Sequence, residues 1–377
     1  MSTTAVAPQS EQSTGYNVVL VSAFVKQFES LLLGLQHRQH TCVAVITREG
    51  ADGVIKMAKA ANLPVFVFPN CVSLQRLMDK DQNAAEQVQQ AMDELQTLSP
   101  DILCSWGYQI LPACLIDLPA VNALNFHFAD LPKYRGGMSL AAQIIEGEAY
   151  TRLSLHELTV EIDAGGICVK SDPIALDGVY SQQALAKGIE VAGSLLANTL
   201  DDIQRNTLQI QPNDFQQPDL PHSWGVLREK VTQADGSETT VNKGYLGYLA
   251  IHWDVDSCEH IERACRAFDS MGGPFATRIK DEQLLLIHFQ HAEKINDKIS
   301  ADACIGSSAE PGGIVEVISE NTIVIQAIDG QLQCQVFLNP QLIAKESQAE
   351  HMQLNVGDRL VKAVSVSDLS GIKGADR

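Results

Sequence analysis

Asn125 and His127 stand two positions apart in the segment Asn125-Phe126-His127-Phe128-Ala129-Asp130-Leu131-Pro132, followed by Lys133-Tyr134-Arg135-Gly136-Gly137. The part up to His127 reads as a strand, and side chains at i and i+2 of a strand share one face. An amide and an imidazole can therefore aim at one reacting atom. Pro132 and the Gly136-Gly137 pair end the strand in a loop, where ligands gain access. A carboxylate follows at Asp163, in Glu161-Ile162-Asp163-Ala164-Gly165-Gly166. Asn125 can donate its N–H to an oxyanion, worth roughly 3–4 kcal/mol in comparable sites. His127 can act as a general base or as a charged stabiliser, and Asp163 can orient the imidazole or steer its proton. Asn-x-His pairs are common as ordinary strand-end polar groups. Here the pair follows an apolar run, precedes a Pro/Gly loop and has an Asp-Ala-Gly-Gly turn downstream.

These groups need elements to hold them. Tyr16–Ser22, Cys42–Thr47, Val65–Phe68 and Ile102–Ser105 read as short strands rich in β-branched residues. Helical patterns lie between them at Lys26–Gln36, Gly53–Asn62 and Asp81–Leu98. This alternation predicts a parallel sheet with right-handed crossovers. Ala141–Gly147 reads as a helix, Thr151–Leu158 as a strand carrying His156, and Ser181–Arg205 as a long helix. His156 reads as a packed or hydrogen-bonded histidine. The turn Ser22-Ala23-Phe24-Val25-Lys26 lacks Gly-x-Gly-x-x-Gly, and no Walker A loop occurs, so dinucleotide or nucleoside triphosphate binding has no support. The Pro/Asn/Gln-rich stretch Gln211–Leu220 marks a boundary. The segment His222–Leu249 is irregular. Beyond it lie a helix at Cys258–Phe268 and short strands at Leu284–Phe289, Ile314–Ile318, Thr322–Ile328 and Leu332–Leu338, the pattern of a small barrel or sandwich.

The set Asn125-x-His127, Leu131-Pro132-Lys133-Tyr134-Arg135-Gly136 and Asp163-x-Gly165 resembles the signature of the 10-formyltetrahydrofolate-dependent formyltransferases. Trp106-Gly107-Tyr108-Gln109-Ile110-Leu111-Pro112 is similar to that family's aromatic-Gly-x-Ile-Leu-Pro stretch, with one residue more. The segment from Trp253 through Arg263, Arg266-Ala267-Phe268 and Pro274, with Gly357-Asp358-Arg359-Leu360, resembles the C-terminal domain of methionyl-tRNA formyltransferases. That domain also closes some amino-sugar formyltransferases, so it does not fix the substrate.

The resemblance implies an α/β fold: a Rossmann-like formyltransferase domain with a parallel-rich sheet at 16–210, and a smaller OB-like β-barrel domain at 211–377, after a disordered tail at 1–15. It implies 10-formyltetrahydrofolate as formyl donor, no metal, and Asn125, His127 and Asp163 as the catalytic set. Trp106, Ile110, Leu111, Leu158, Val160 and Ile162 would contact the donor; as apolar residues they read equally well as core. Asp130 and Arg135 would meet the acceptor. Asp130 replaces a residue of the family's usual Ser-Leu-Leu-Pro, and could attract a protonated amine.

With 377 residues and 45% apolar content, two globular domains are expected. The nine cysteines are scattered, with no Cys-x-x-Cys, and read as reduced thiols of a cytoplasmic protein. No apolar run approaches the roughly 20 residues that span a bilayer, so no membrane partner is expected. The net charge of −19 is shared almost equally by the two halves, and no Lys/Arg run occurs. A protein gripping a tRNA backbone needs a basic patch. Gly137-Met138-Ser139-Leu140 also departs from the Ala-Ala-Pro usual after Arg-Gly in methionyl-tRNA formyltransferases, and Thr47–Asp52 is short and not basic. The expected acceptor is therefore a small primary amine, foremost a nucleotide-linked amino sugar. Methionyl-tRNA is the alternative, and hydrolysis of the formyl donor a third reading. A non-catalytic folate-binding module is opposed by the intact Asn-His-Asp set. Amino-sugar members of the family often pair as dimers, so a homodimer is allowed.

Overall fold

The computed structural model describes residues 15–36, 38–216, 228–232, 238–242, 249–280, 283–295, 310–338 and 354–361. The tail expected at 1–15, save its last residue, and most of His222–Leu249 lie outside them. The chain divides into two compact units. One gathers Met1–Pro132, Arg152–Asp172 and Lys187–Pro218; the other gathers Lys133–Thr151, Pro173–Ala186 and Asp219–Arg377.

In the first unit a parallel core is built from β1 (Asn17–Ser22), β2 (Thr41–Arg48), β3 (Val65–Phe68), β4 (Ile102–Trp106) and β5 (Asn122–His127). A short pair, β6 (Tyr150–Thr151) and β9 (Ile174–Ala175), belongs to the second unit. Two further strands, β7 (Ser154–Glu157) and β8 (Ile167–Lys170), complete the sheet in the order β3-β2-β1-β4-β5-β7-β8. β1 to β5 run parallel, and β7 and β8 run antiparallel. β1 is a Val-Val-Leu-Val run buried on both faces, which its composition requires of an inner parallel strand. The strand order reverses between β1 and β4, the topology of a doubly wound sheet.

The crossovers are α1 (Val25–Gln36), α2 (Asp52–Ala60), the short α3 (Leu74–Met78) with α4 (Gln82–Thr97), and α5 (Ala113–Ile116). α4 starts where Asp81 caps it by accepting from the Asn83 amide at 2.9 Å, and stops before Ser99, whose φ of 47° leaves the helical region. Phe68, Leu74, Val88, Leu95, Leu103 and Leu115 pack into one core over this face. Two more helices, α6 (Ser139–Glu146) and α7 (Ser181–Gln204), follow in sequence.

The second unit holds a hairpin, β10 (Arg228–Thr232) with β11 (Glu238–Asn242), within the segment that reads as irregular. Its main sheet has six antiparallel strands: β12 (Phe275–Lys280), β13 (Gln283–Lys294), β14 (Ile314–Ser319), β15 (Thr322–Ala327), β16 (Gly330–Leu338) and β17 (Leu360–Val361). Their order is β14-β15-β16-β13-β12-β17. The two outer strands curl toward each other. Ile314 N–H donates to Asp358 O, and Leu360 N–H donates to Gly312 O, both at 2.8 Å. This curled, OB-like half-barrel is the second fold the sequence pattern implies. α8 (Cys258–Ala267) packs on it, and Ile261 and Cys265 join Phe289, Ile325 and Val336 in its core. No helix among the described residues is long and apolar enough to cross a membrane.

Candidate active site

The site is assembled at the carboxyl end of β5, the strand where the parallel and antiparallel halves of the sheet meet. Asn125 lies opposite Ser105 of β4 and opposite His156 of β7, and His127 lies opposite Ser154. Cross-strand pairing therefore puts His156 beside Asn125 on the face that also carries His127. The loop after β7 brings back Asp163, whose φ is 48°. Aspartate is among the few side chains that tolerate this left-handed region.

Four polar groups converge. His127 Nδ1 is 3.3 Å from Asp163 Oδ2, and His156 Nε2 is 3.4 Å from Asp163 Oδ1. Asn125 Nδ2 lies 3.1 Å from His156 Nε2 and 3.4 Å from Asp163 Oδ1. His156 Nδ1 is 2.7 Å from the Glu157 carbonyl, which can only accept. That bond places the proton on Nδ1 and leaves Nε2 as an acceptor for the Asn125 amide. Both Asn125 N–H groups are thus engaged, one by the imidazole and one by the carboxylate. The carboxylate in turn fixes the His127 tautomer with the proton on Nδ1, leaving Nε2 with a lone pair. His127 and His156 are both buried. His156, which reads as a packed or hydrogen-bonded histidine, is both, and its bonds bring it into the constellation. Strand spacing from Asn125 does not reveal it, because its place depends on register between strands 31 residues apart.

The loop behind His127 is held from several sides. The Phe128 ring occupies the space that a Cβ on Gly188 of α7 would need, 2.2 Å from its nearest ring atom. Ser154 Oγ donates to Ala129 O at 2.6 Å. Lys170 Nζ lies 2.6 Å from Asp130 Oδ1 and donates to Leu131 O at 2.5 Å. Arg152 Nε stands 3.9 Å from Asp130 Oδ2. Asp130 is therefore bound to Lys170, with a second cation near it. Two cations thus flank this carboxylate, and through Lys170 it braces the loop.

Of the residues expected to touch the donor, Trp106 is buried against Phe126, with ring centroids 5.3 Å apart. Leu111 belongs to the core of this unit and Leu158 packs against it. Ile110 bonds through its backbone to Val72 and Leu74. Ile162 is half-buried, and Val160 is 75% exposed at the tip of the Asp163 loop. Arg135 is buried and belongs to the second unit. Burial pushes the Cys168 thiol up to about 12, so it stays protonated and offers no competing nucleophile. Burial likewise raises the Tyr108 phenol, which donates to Thr47 O at 2.9 Å. Among the described residues no group of His, Cys, Asp and Glu side chains is arranged to hold a metal ion.

Residues 17–198 match the family model described as formyl transferase. The methionyl-tRNA formyltransferase of Mesoplasma florum is 26% identical over 255 residues, which cover 67% of this chain and 70% of that protein. The enzyme of the same name from a Sulfurihydrogenibium species is 24% identical over 276 residues, covering 72% and 78%. Matches at 30–33% identity are shorter and cover 40–49% of those relatives' length. Among solved structures, WlaRD, a sugar 3N-formyl transferase crystallised with dTDP and 5-N-formyl-THF, aligns with a TM-score of 0.52. The alignment covers 85% of this chain and 98% of that one at 15% identity, a likeness of fold alone.

Proposed function

We propose that this chain, a member of the formyltransferase superfamily, moves the formyl group of 10-formyltetrahydrofolate to a primary amine, with Asn125, His127 and Asp163 carrying the chemistry. The observation that supports the reading most is the convergence of Asn125, His127 and His156 around the Asp163 carboxylate at 3.3–3.4 Å. The amine attacks the formyl carbon and a tetrahedral oxyanion forms. Asn125 meets it with the N–H now spent on the longer contact to Asp163, while His156 holds the other N–H and so the amide plane. His127 takes the amine proton on Nε2, and the adjacent carboxylate stabilises the resulting imidazolium. Collapse of the oxyanion expels N10 of the folate, which needs a proton, and His127 can return it.

For the acceptor, the curated relatives matched over two thirds or more of this chain are methionyl-tRNA formyltransferases. They support the amino group of methionyl-tRNA over the nucleotide-linked amino sugar that charge and loop composition suggest. The amino-sugar reading keeps the support of the net charge of −19. Donor contact by Trp106, Ile110, Leu111, Leu158, Val160 and Ile162 is least supported at Trp106, Leu111 and Leu158, which serve the core.

Release of tetrahydrofolate from 10-formyltetrahydrofolate tests this, with methionyl-tRNA and a set of nucleotide-linked amino sugars as acceptors. Release that requires methionyl-tRNA, weakening steeply with salt, is the expected result. Release that requires an amino sugar reverses the acceptor order. Release of formate without any amine makes the protein a hydrolase, and no release under any condition refutes the function.

A further inference from the structure

We infer that Asn213 is a positioning residue for formyl transfer, holding the backbone of the Asp163 loop so that the carboxylate stays within reach of Asn125, His127 and His156. The inference rests on the assignment of Asp163 to the reacting site. Asn213 lies beyond α7, in the stretch whose composition reads only as a boundary. It is nevertheless 9% exposed, and its Nδ2 donates to Asp163 O and to Gly165 O, each at 2.9 Å. Both amide hydrogens are spent on the two carbonyls that bracket the turn. Its Oδ1 is buried without a partner among the described residues. The reversed amide would aim that oxygen at two carbonyl oxygens, so one orientation is enforced.

The neighbours of Asn213 make the same contact broad. Gln211 and Ile167 exchange two backbone bonds at 2.8 and 2.9 Å, which lays this segment along β8. Ile210 Cγ2 would be 2.4 Å from a Cβ on Gly166, and Glu157 O would be 2.0 Å from one on Gly165. The Asp163 loop is thus pressed between β7 and the chain that follows α7, with Gly165 where its backbone meets that of β7 and Gly166 against the Ile210 side chain. The need for such a hold is visible at the carboxylate. Its contacts with His127 and Asn125, at 3.3 and 3.4 Å, sit at the long limit of hydrogen bonding, so a shift of a few tenths of an ångström breaks them.

The test compares Asn213→Ala, Asn213→Asp and Asn213→Ser, alone and combined with Asp163→Asn. For Asn213→Ala we expect kcat to fall about 10–100-fold, with KM for donor and acceptor nearly unchanged. Asn213→Asp, which turns two donors into acceptors facing carbonyls, falls at least as far. Asn213→Ser, which keeps one donor, lies between wild type and Asn213→Ala. In the Asp163→Asn background none of them costs anything further, because the effect runs through that carboxylate. A second readout needs no substrate: by NMR, the His127 ring resonances in Asn213→Ala should move away from their wild-type positions and toward those of Asp163→Asn. Unchanged kcat, an equal loss in the Asp163→Asn background, or unmoved His127 resonances each overturns the inference. If the wild type shows no turnover, the proposed function fails, and the NMR comparison still decides whether Asn213 positions Asp163.

Discussion

Lys170→Met measures how firmly the loop behind His127 is held. One ammonium group makes two contacts, to Asp130 Oδ1 at 2.6 Å and to Leu131 O at 2.5 Å, with the Lys170 and Asp130 side chains 25% and 30% exposed. A fully exposed pair is worth about 0.2–1 kcal/mol, and breaking a fully buried one costs about 3–5 kcal/mol. At this exposure solvent screens the pair, so its ionic share is about 1 kcal/mol; the bond to the Leu131 carbonyl adds about as much. The variant should therefore lose about 2 kcal/mol, lowering the melting temperature by about 4–8 °C. Asp130→Asn should lose about 1 kcal/mol. The double variant should cost less than the sum of the two, with a coupling near 1 kcal/mol that shrinks in high salt. Thermal unfolding of the three variants in low and high salt reads this directly. Strict additivity would refute the bracing role. So would an Asp130→Asn protein that melts like wild type while its KM for the amine rises tenfold or more, since Asp130 would then be meeting the acceptor.

Other outcomes follow from the same geometry. Asn125→Ala should lower kcat by about 10²–10³-fold with little change in melting temperature, measured by tetrahydrofolate release. Gly165→Ala, whose Cβ would stand 2.0 Å from Glu157 O, should displace the Asp163 loop and abolish turnover, detectable alongside a loss of thermal stability. Burial lowers the pKa of His288, which stacks on Phe337 with centroids 4.9 Å apart. Below the ordinary imidazole value of about 6.5 the unfolded chain then binds the proton more readily, so the second unit should lose stability as pH falls through that value. His288→Gln should flatten this dependence in denaturant titrations between about pH 7 and pH 5.

The residues that could be found in the sequence are those whose relation is local. Asn125 and His127 announce themselves because a strand has a period of two, and the parallel strands because β-branched runs alternate with helical patterns. The half-barrel of the second unit is legible from its short, turn-separated strands. What the sequence hides is register and long-range return. β8 is only four residues, Ile-Cys-Val-Lys, too short for a periodic signal, yet it delivers Lys170 to Asp130. His156 reads as a packed or hydrogen-bonded histidine with no named partner, because only the pairing of β5 with β7 sets it against Asn125. Asn213 looks like one polar residue among many in a Pro/Gln-rich stretch, and its contact with Asp163 spans 50 positions. The apolar donor-contact set shows the reverse fault: an apolar residue near a site is hard to tell from core, and Leu111 lies in the core.

The place of β5 between β4 and β7 has a consequence for how the molecule breathes. A strand bonded on both flanks opens only when the sheet opens, so the amides of Leu124 to Phe126 should exchange with solvent at the rate of global unfolding. The loops at 128–139 and 158–166 lie outside this ladder and are held instead by contacts from distant residues, among them Lys170 to Leu131 and Asn213 to Asp163. Asn125 and His127 thus stand on the most persistent part of the unit, and Asp163 on a loop that has to be pinned to meet them.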